Sequence, residues 1–228
     1  MLALSNVGKK MKVTLIALVG AVASISSANL IQNGSFESGN FVWGQNPQSE
    51  GNSMQISAGS TALTNWSLRT AGGGNDLHLA RTGNMWTMTP SDGNNMVDLS
   101  GWSDVSPTVV LSQDFGAVAG TQYAVTFDLA YGNGLSGPGG PVTMRVGVGS
   151  NTTDVTTGSG GPTGTNWMTS TVYLTAGANN AELNFQGVQN SWFIGIDNVK
   201  VEAVPEPASF LALGGGLLLL GRRRKKTA

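Results

Sequence analysis

Apolar and polar residues alternate one for one along much of this chain. Tyr123, Val125, Phe127 and Leu129 share one parity, and Val142, Met144, Val146 and Val148 repeat the pattern with Thr143 and Arg145 opposite. Leu183 and Phe185 alternate with Glu182, Asn184 and Gln186. A period of two belongs to a half-buried β-strand, which keeps one dry and one wet face. The same reading predicts strands over 64–68, 95–99, 109–115, 168–174 and 193–201. No amphipathic helix separates them. Many short strands joined by Gly, Ser, Thr and Asn predict an all-β antiparallel β-sandwich or jelly roll, with 135–141 and 158–164 as loops at its rim. No internal repeat points to a solenoid or propeller.

Both ends depart from this pattern. Lys9, Lys10 and Lys12 precede the apolar run 13–25, and Ser26-Ser27-Ala28 supplies small residues for cleavage. Residues 1–28 therefore read as a secretory signal peptide, a helix removed by signal peptidase, with Met1 or Met11 as the start. At the other end, Pro205-Glu206-Pro207 leads into a second apolar run, 208–221, and then Arg222-Arg223-Arg224-Lys225-Lys226. Fourteen uncharged residues make a helix of roughly 21 Å, against a hydrocarbon core of about 30 Å. That length suits transient inner-membrane insertion, with the cations held on the cytoplasmic side. Residues 204–228 read as a sorting signal that the mature protein loses, and 29–203 as one domain.

Charge looks different once the ends are set aside. The whole chain is close to neutral, but within 29–203 the only cations are Arg69, Arg81, Arg145 and Lys200, against twelve carboxylates, a net charge of −8. An acidic domain argues against nucleic acid, whose phosphates need a basic face. With no cysteine, thiolate catalysis, zinc–thiolate sites and disulfides are excluded.

The tail resembles the PEP-CTERM signal of Gram-negative bacteria: a Pro-Glu-Pro motif, a hydrophobic helix and an Arg-rich end, in that order. The resemblance implies processing by an exosortase-type transpeptidase or protease in the inner membrane. It further implies export to the cell surface or extracellular matrix, often beside exopolysaccharide. The domain carries Leu30-Ile31-Gln32-Asn33-Gly34-Ser35-Phe36-Glu37, Asn65-Trp66, Asn95 to Gly101, Leu111-Ser112-Gln113, Tyr123 to Phe127 and Ile194 to Val199. This series resembles the choice-of-anchor C family of bacterial surface proteins, relatives of a domain-of-unknown-function family in plant cell walls. That likeness implies a galactose-binding-like jelly roll. The opening Asn-Gly-Ser-Phe-Glu and closing Ile-Asp-Asn-Val also resemble the first and last strands of carbohydrate-binding modules. There the matching carboxylates help hold a structural calcium ion, which implies Glu37 and Asp197 as its ligands here. No other cofactor is expected.

The remaining chemistry lies in aromatic and acidic residues. Of Trp43, Trp66, Trp86, Trp102, Trp167 and Trp192, the pair Trp86 and Trp102 sits beside Gly-, Ser- and Asp-rich turns, where an indole face can stack on a sugar. Trp66 and Trp192 belong to strands and are expected in the core. His78, the only histidine, follows Asp76 by two residues on one strand face, but no Gly-x-Ser-x-Gly nucleophile turn accompanies it. Gly132-Asn133-Gly134-Leu135-Ser136-Gly137 spells a dinucleotide fingerprint, yet Pro138 and Pro141 prevent the helix that would hold pyrophosphate. Asp92, Asp98 and Asp104 crowd one region and leave glycoside hydrolysis open, though it needs an acid and a base positioned in space, which spacing alone does not show. Asn33, Asn65 and Asn151 match glycosylation acceptor patterns that turn chemistry also explains. The sequence thus predicts an exported, non-catalytic domain that binds extracellular polysaccharide weakly. A structural or adhesive matrix protein without a small ligand is the alternative, and an exported glycoside hydrolase ranks last.

Overall fold

The computed structural model describes residues 28–44, 52–70, 76–81, 88–101, 109–132, 140–157, 167–188 and 193–205. Its elements are β1 (Ser53–Ser57), β2 (Ser67–Thr70), β3 (Asp76–Arg81), β4 (Asn95–Asp98), β5 (Val109–Gln113), β6 (Gln122–Gly132), β7 (Thr143–Val148), β8 (Asn151–Thr156), β9 (Met168–Thr175), β10 (Leu183–Gly187) and β11 (Phe193–Ala203). They form a six-stranded sheet, β1-β3-β4-β11-β6-β9, packed on a five-stranded sheet, β2-β5-β10-β7-β8. Every pairing is antiparallel. This is the expected sandwich, with strands that pair far from their sequence neighbours as in a jelly roll.

The alternating residues supply the core. Val125, Phe127 and Leu129 of β6 face Met144 and Val146 of β7 and Leu183 and Phe185 of β10, all fully buried. Phe127 meets Phe185 edge-on at 5.6 Å, and Trp66 lies between Phe36, at 5.3 Å, and Phe185, at 6.3 Å. Each such side chain contributes about 1.5–3 kcal/mol on leaving water. Trp66 also donates its Nε1–H to the Asn33 carbonyl at 2.9 Å, so its one polar atom is paired. It is a core residue, as expected.

Three strands escaped the alternation. β1 and β3 form an edge pair, and β8, with Thr152, Asp154 and Thr156 facing out, is too polar to announce itself. The strand expected over 64–68 begins instead at Ser67. Thr64 to Trp66 form a turn because Asn65 takes a left-handed φ of +67° and the Asn33 amide bonds the Thr64 carbonyl at 2.8 Å.

The outer face of the six-stranded sheet is not wet throughout. His78, Ala80, Met96, Asp98, Phe193 and Asp197 all point away from the main core, yet each is at most 1% exposed. Ala80, Met88, Met96 and Phe193 form a second apolar cluster capped by Trp167. Within β11 the register breaks between Asp197 and Lys200, where Asn198 sits at φ +52°. This β-bulge reverses the facing parity, so Ile196 and Val199 both enter the core while Asp197 points out. The two apolar terminal segments lie outside the described residues, and no described helix is long and apolar enough to cross a membrane.

Candidate functional site

Two open depressions stand out among the described residues. The larger, about 750 Å³, runs along 59–68 beside Gln32, Gln113 and Asp114. Its amides satisfy one another: Asn65 Nδ2 donates to Gln32 Oε1 at 2.9 Å, and Gln113 Nε2 donates to the Gln32 carbonyl at 2.9 Å. Trp66 at its floor is only 3% exposed and offers no ring face to a ligand.

The smaller, about 490 Å³, is lined by a more accessible indole. Trp43 lies half-buried in it beside Phe41, whose ring is 5.5 Å away at 54°. The Arg81 guanidinium sits 4.9 Å from the indole centroid, within cation–π range. Arg81 stands at the end of β3, where its backbone N–H donates to the Asn52 carbonyl at 2.9 Å and Nε donates to Asn52 Oδ1 at 3.3 Å. Glu37, Asn94 and Asn95 complete the walls. An aromatic ring among amide, guanidinium and carboxylate groups suits a polyhydroxylated ligand.

Two carboxylates hold the loop that delivers Asn94 and Asn95 to the cleft. Glu37 Oε1 accepts from the backbone N–H groups of Asn94 and Asn95, each at 2.7 Å, and Oε2 accepts from Asn95 Nδ2 at 3.2 Å. At the start of the same loop, Asp197 Oδ2 accepts from the N–H groups of Ser91 and Asp92 at 2.8 and 2.9 Å, while Oδ1 accepts from Asn198 N–H at 2.7 Å. Asp128 stands opposite Asp197 across β6 and β11 and accepts from Ser91 Oγ, Asn198 Nδ2 and Thr169 Oγ1 at 2.6–3.1 Å. Burial pushes the Asp197 carboxyl up to about 7, against the downward pull of its N–H donors. The Gly93 turn at φ +67° lies directly on Glu37, where a Cβ would come within 2.5 Å of Oε1.

Glu37 and Asp197 therefore meet on one loop, Ser91 to Asn95. Trp86, Trp102, Trp192 and Asp104 fall outside the described residues, as do Glu206 and Pro207; Pro205 is exposed just past β11. The Gly132 fingerprint begins at the end of β6 and then leaves the described residues. Asp98 is fully buried, with Oδ1 accepting from Ser100 N–H, Ser100 Oγ and Ile194 N–H at 2.8–3.0 Å, so a glycosidic bond cannot reach it. Asp92 accepts from Ser35 Oγ at 2.6 Å. His78 is buried between Asp76, 3.8 Å from Nε2, and Asp98, 4.0 Å from Nδ1, and burial lowers its pKa although Asp76 raises it. The amides of Asn33, Asn65 and Asn151 donate to the Thr64 carbonyl, Gln32 Oε1 and the Thr175 carbonyl at 2.8–3.0 Å, tying together segments distant in the chain. Sequence reasoning passed over Trp43 as a site residue. Its only local signal is the following Gly44, because Arg81 and Asn52 reach it through strand pairing rather than proximity in the chain.

A family model described as protein of unknown function (DUF642) matches residues 29–202, and the PEP-CTERM protein-sorting motif matches residues 203–225. The second match marks the protein as exported, with membrane-associated sorting to the cell surface or extracellular space. No curated protein matches the chain. Among solved structures, TmCBM61 in complex with β-1,4-galactotriose aligns at 17% identity and a TM-score of 0.44, over 78% of this chain and all of that one. The K1 cleaved adhesin domain of Lys-gingipain from Porphyromonas gingivalis W83 aligns at 16% and 0.45, over 68% of this chain and all of that one. A family 35 carbohydrate binding module from Clostridium thermocellum aligns at 16% and 0.41, over 65% and 96%.

Proposed function

The chain belongs to the DUF642 family of proteins of unknown function, and from that premise we propose that its exported sandwich is a non-catalytic module that binds extracellular polysaccharide weakly. Within the family we place it with the choice-of-anchor C surface proteins. The observation that carries the binding reading is the Trp43 cleft, where one indole is oriented by Arg81 and framed by Asn52, Asn94 and Glu37. A pyranose ring stacks on the indole while the amides and the guanidinium take its hydroxyls. Stacking of this kind contributes about 0.5–1.5 kcal/mol, which keeps affinity low for one site and lets a polymer engage many copies. Trp86 and Trp102 are proposed as further contacts, since Trp86 follows Arg81 by five residues. Affinity electrophoresis in gels containing the producing cell's own polysaccharide tests the reading. Trp43→Ala is expected to weaken retardation about tenfold at a temperature where the variant remains folded, since the ring also packs on Phe41 and the core edge, and unchanged retardation would remove the cleft from the binding site.

We assign Glu37, which lines that cleft, and the buried Asp197 as clamps on the Ser91–Asn95 loop. Calcium takes six to eight oxygen ligands, whereas the hydrogen bonds to these carboxylates come from N–H donors, which suit an anion and oppose a cation. The melting temperature is therefore expected to be the same in millimolar calcium and in chelator. A rise with calcium would return both residues to the metal site that the family resemblance implies.

A further inference from the structure

Both membrane-seeking segments leave the sandwich at one end. The apolar run 13–25 leads to Ala28, and next to it the Asn29 side chain accepts from Val201 N–H at 2.9 Å while Leu30 N–H donates to the Val201 carbonyl at 2.8 Å. Three residues later, β11 ends and Val204 N–H donates to the Gln122 carbonyl at 2.8 Å. Only Pro205, Glu206 and Pro207 then separate the folded domain from the apolar run 208–221. Three residues can span at most roughly 11 Å. With the tail inserted, this end of the sandwich cannot stand far from the bilayer.

The end is built for that position. Leu30, Val118 and Tyr173, at 37%, 56% and 62% exposure, are three of the five exposed large hydrophobic residues among those described. Val118 lies in the turn before β6 and Tyr173 near the end of β9, and the stretches 115–123 and 173–181 contain no charge. These turns are tied together: Gly120 N–H donates to the Ala176 carbonyl, Ala176 N–H to the Thr121 carbonyl and Asn180 N–H to the Ala117 carbonyl, at 2.7–3.0 Å. The rim carries Asp114, Glu182 paired with Arg69 at 3.3 Å, Lys200 and Glu202. We propose that this end is a membrane-facing surface that seats the domain on the interface of a zwitterionic bilayer while the tail is inserted. Apolar and aromatic side chains enter the interfacial region, and the carboxylates on the rim keep the seat shallow and disfavour anionic lipid. The Pro205–Pro207 motif is then held between the folded domain and the bilayer, within reach of a membrane-embedded processing enzyme.

The chain has no cysteine, so single labels are clean. Full-length protein with an environment-sensitive fluorophore at V118C or Y173C, or at V188C as a control, is reconstituted in phosphatidylcholine vesicles containing a headgroup nitroxide. Val188 follows β10 at the opposite end and is 38% exposed. Quenching at 118 and 173 is expected to exceed that at 188 at least threefold. Ten Gly/Ser residues inserted between Val204 and Pro205 are expected to reduce it while vesicle flotation stays unchanged. Equal quenching at 118 and 188 overturns the proposal. So does shielding of 118 that appears only when the processing enzyme is present, which makes the surface a protein contact.

Discussion

The two sheets treat their outer faces in opposite ways. On the five-stranded sheet, Thr152, Asp154 and Thr156 of β8 stand in water beside Thr143 and Arg145 of β7. On the six-stranded sheet, Asp197, Asp98 and His78 occupy equivalent outward positions and are wholly buried. A carboxylate in water loses little by being there, but a buried one is costly unless donors surround it. That is why Asp197 has three backbone N–H partners and Asp154 has one exposed guanidinium. Position on a strand fixes which way a side chain points, and what covers the sheet decides its chemistry.

The sharpest way to break this contrast is pH. The folded-state pKa of Asp197 is raised to about 7 by burial, above its ordinary value of 3.8. The folded protein therefore binds this proton more tightly than the unfolded chain does. Its contribution to stability is complete below about pH 4 and is lost as pH rises to about 7. Asp197→Asn removes the titration. The stability of wild type relative to that variant is expected to fall by on the order of 3 kcal/mol between pH 4.5 and pH 8, measured by chemical denaturation at each pH. Parallel curves for the two proteins would show that burial does not control this carboxyl. An added loss of cleft binding in the variant would tie the clamp on Ser91 and Asp92 to the wall it positions.

A smaller effect tests the cover itself. Gly195 lies between Phe193 and Asp197 on the buried face, and a Cβ there would come within 2.8 Å of Trp167 and 3.0 Å of the Met88 sulfur. Trp167 is fixed by its Nε1–H donating to the Thr89 carbonyl at 2.8 Å, so it cannot simply swing aside. Gly195→Val is expected to cost about 1–3 kcal/mol through overpacking. Gly177→Ala, where a Cβ meets nothing within 4 Å, is expected to change stability by under ~0.5 kcal/mol. Equal effects at both glycines would mean that the second apolar layer is not packed.

The same contrast explains which parts of the fold could be read in the sequence. Val142 to Val148 and Tyr123 to Leu129 face one core and one solvent, so alternation reports them faithfully. β3 is Asp-Leu-His-Leu-Ala-Arg with its middle four residues buried on both faces, and burial of His78 has no signature in a polar–apolar pattern. The bulge at Asn198 shifts parity within a single strand, which alternation cannot follow. For the site, Glu37 and Asp197 were legible as a related pair because they sit in motifs at the two ends of the domain. Their hydrogen-bond partners were not, since backbone N–H groups of a loop leave no mark on residue identity. Trp43 became visible only when β1 paired with β3 and brought Asn52 and Arg81 beside it.

The smallest expected effect belongs to the exposed face. Arg145 reaches Asp154 across β7 and β8 with two parallel bonds, Nε to Oδ1 at 2.7 Å and Nη2 to Oδ2 at 2.9 Å. The hydrogen bonds from Arg145 hold the Asp154 carboxyl below its ordinary value of 3.8, opposite in direction to Asp197. Its stabilising contribution is therefore present at neutral pH and lost as pH falls below about 4. The side chains are 42% and 40% exposed, so water and salt screen the pair despite its bidentate geometry. A double-mutant cycle with Arg145→Ala and Asp154→Ala is expected to give a coupling of about 0.5 kcal/mol at pH 7, most of it gone in 1 M salt. A coupling above about 2 kcal/mol that survives salt would mean the five-stranded face is covered in solution, and the difference between the two faces would disappear.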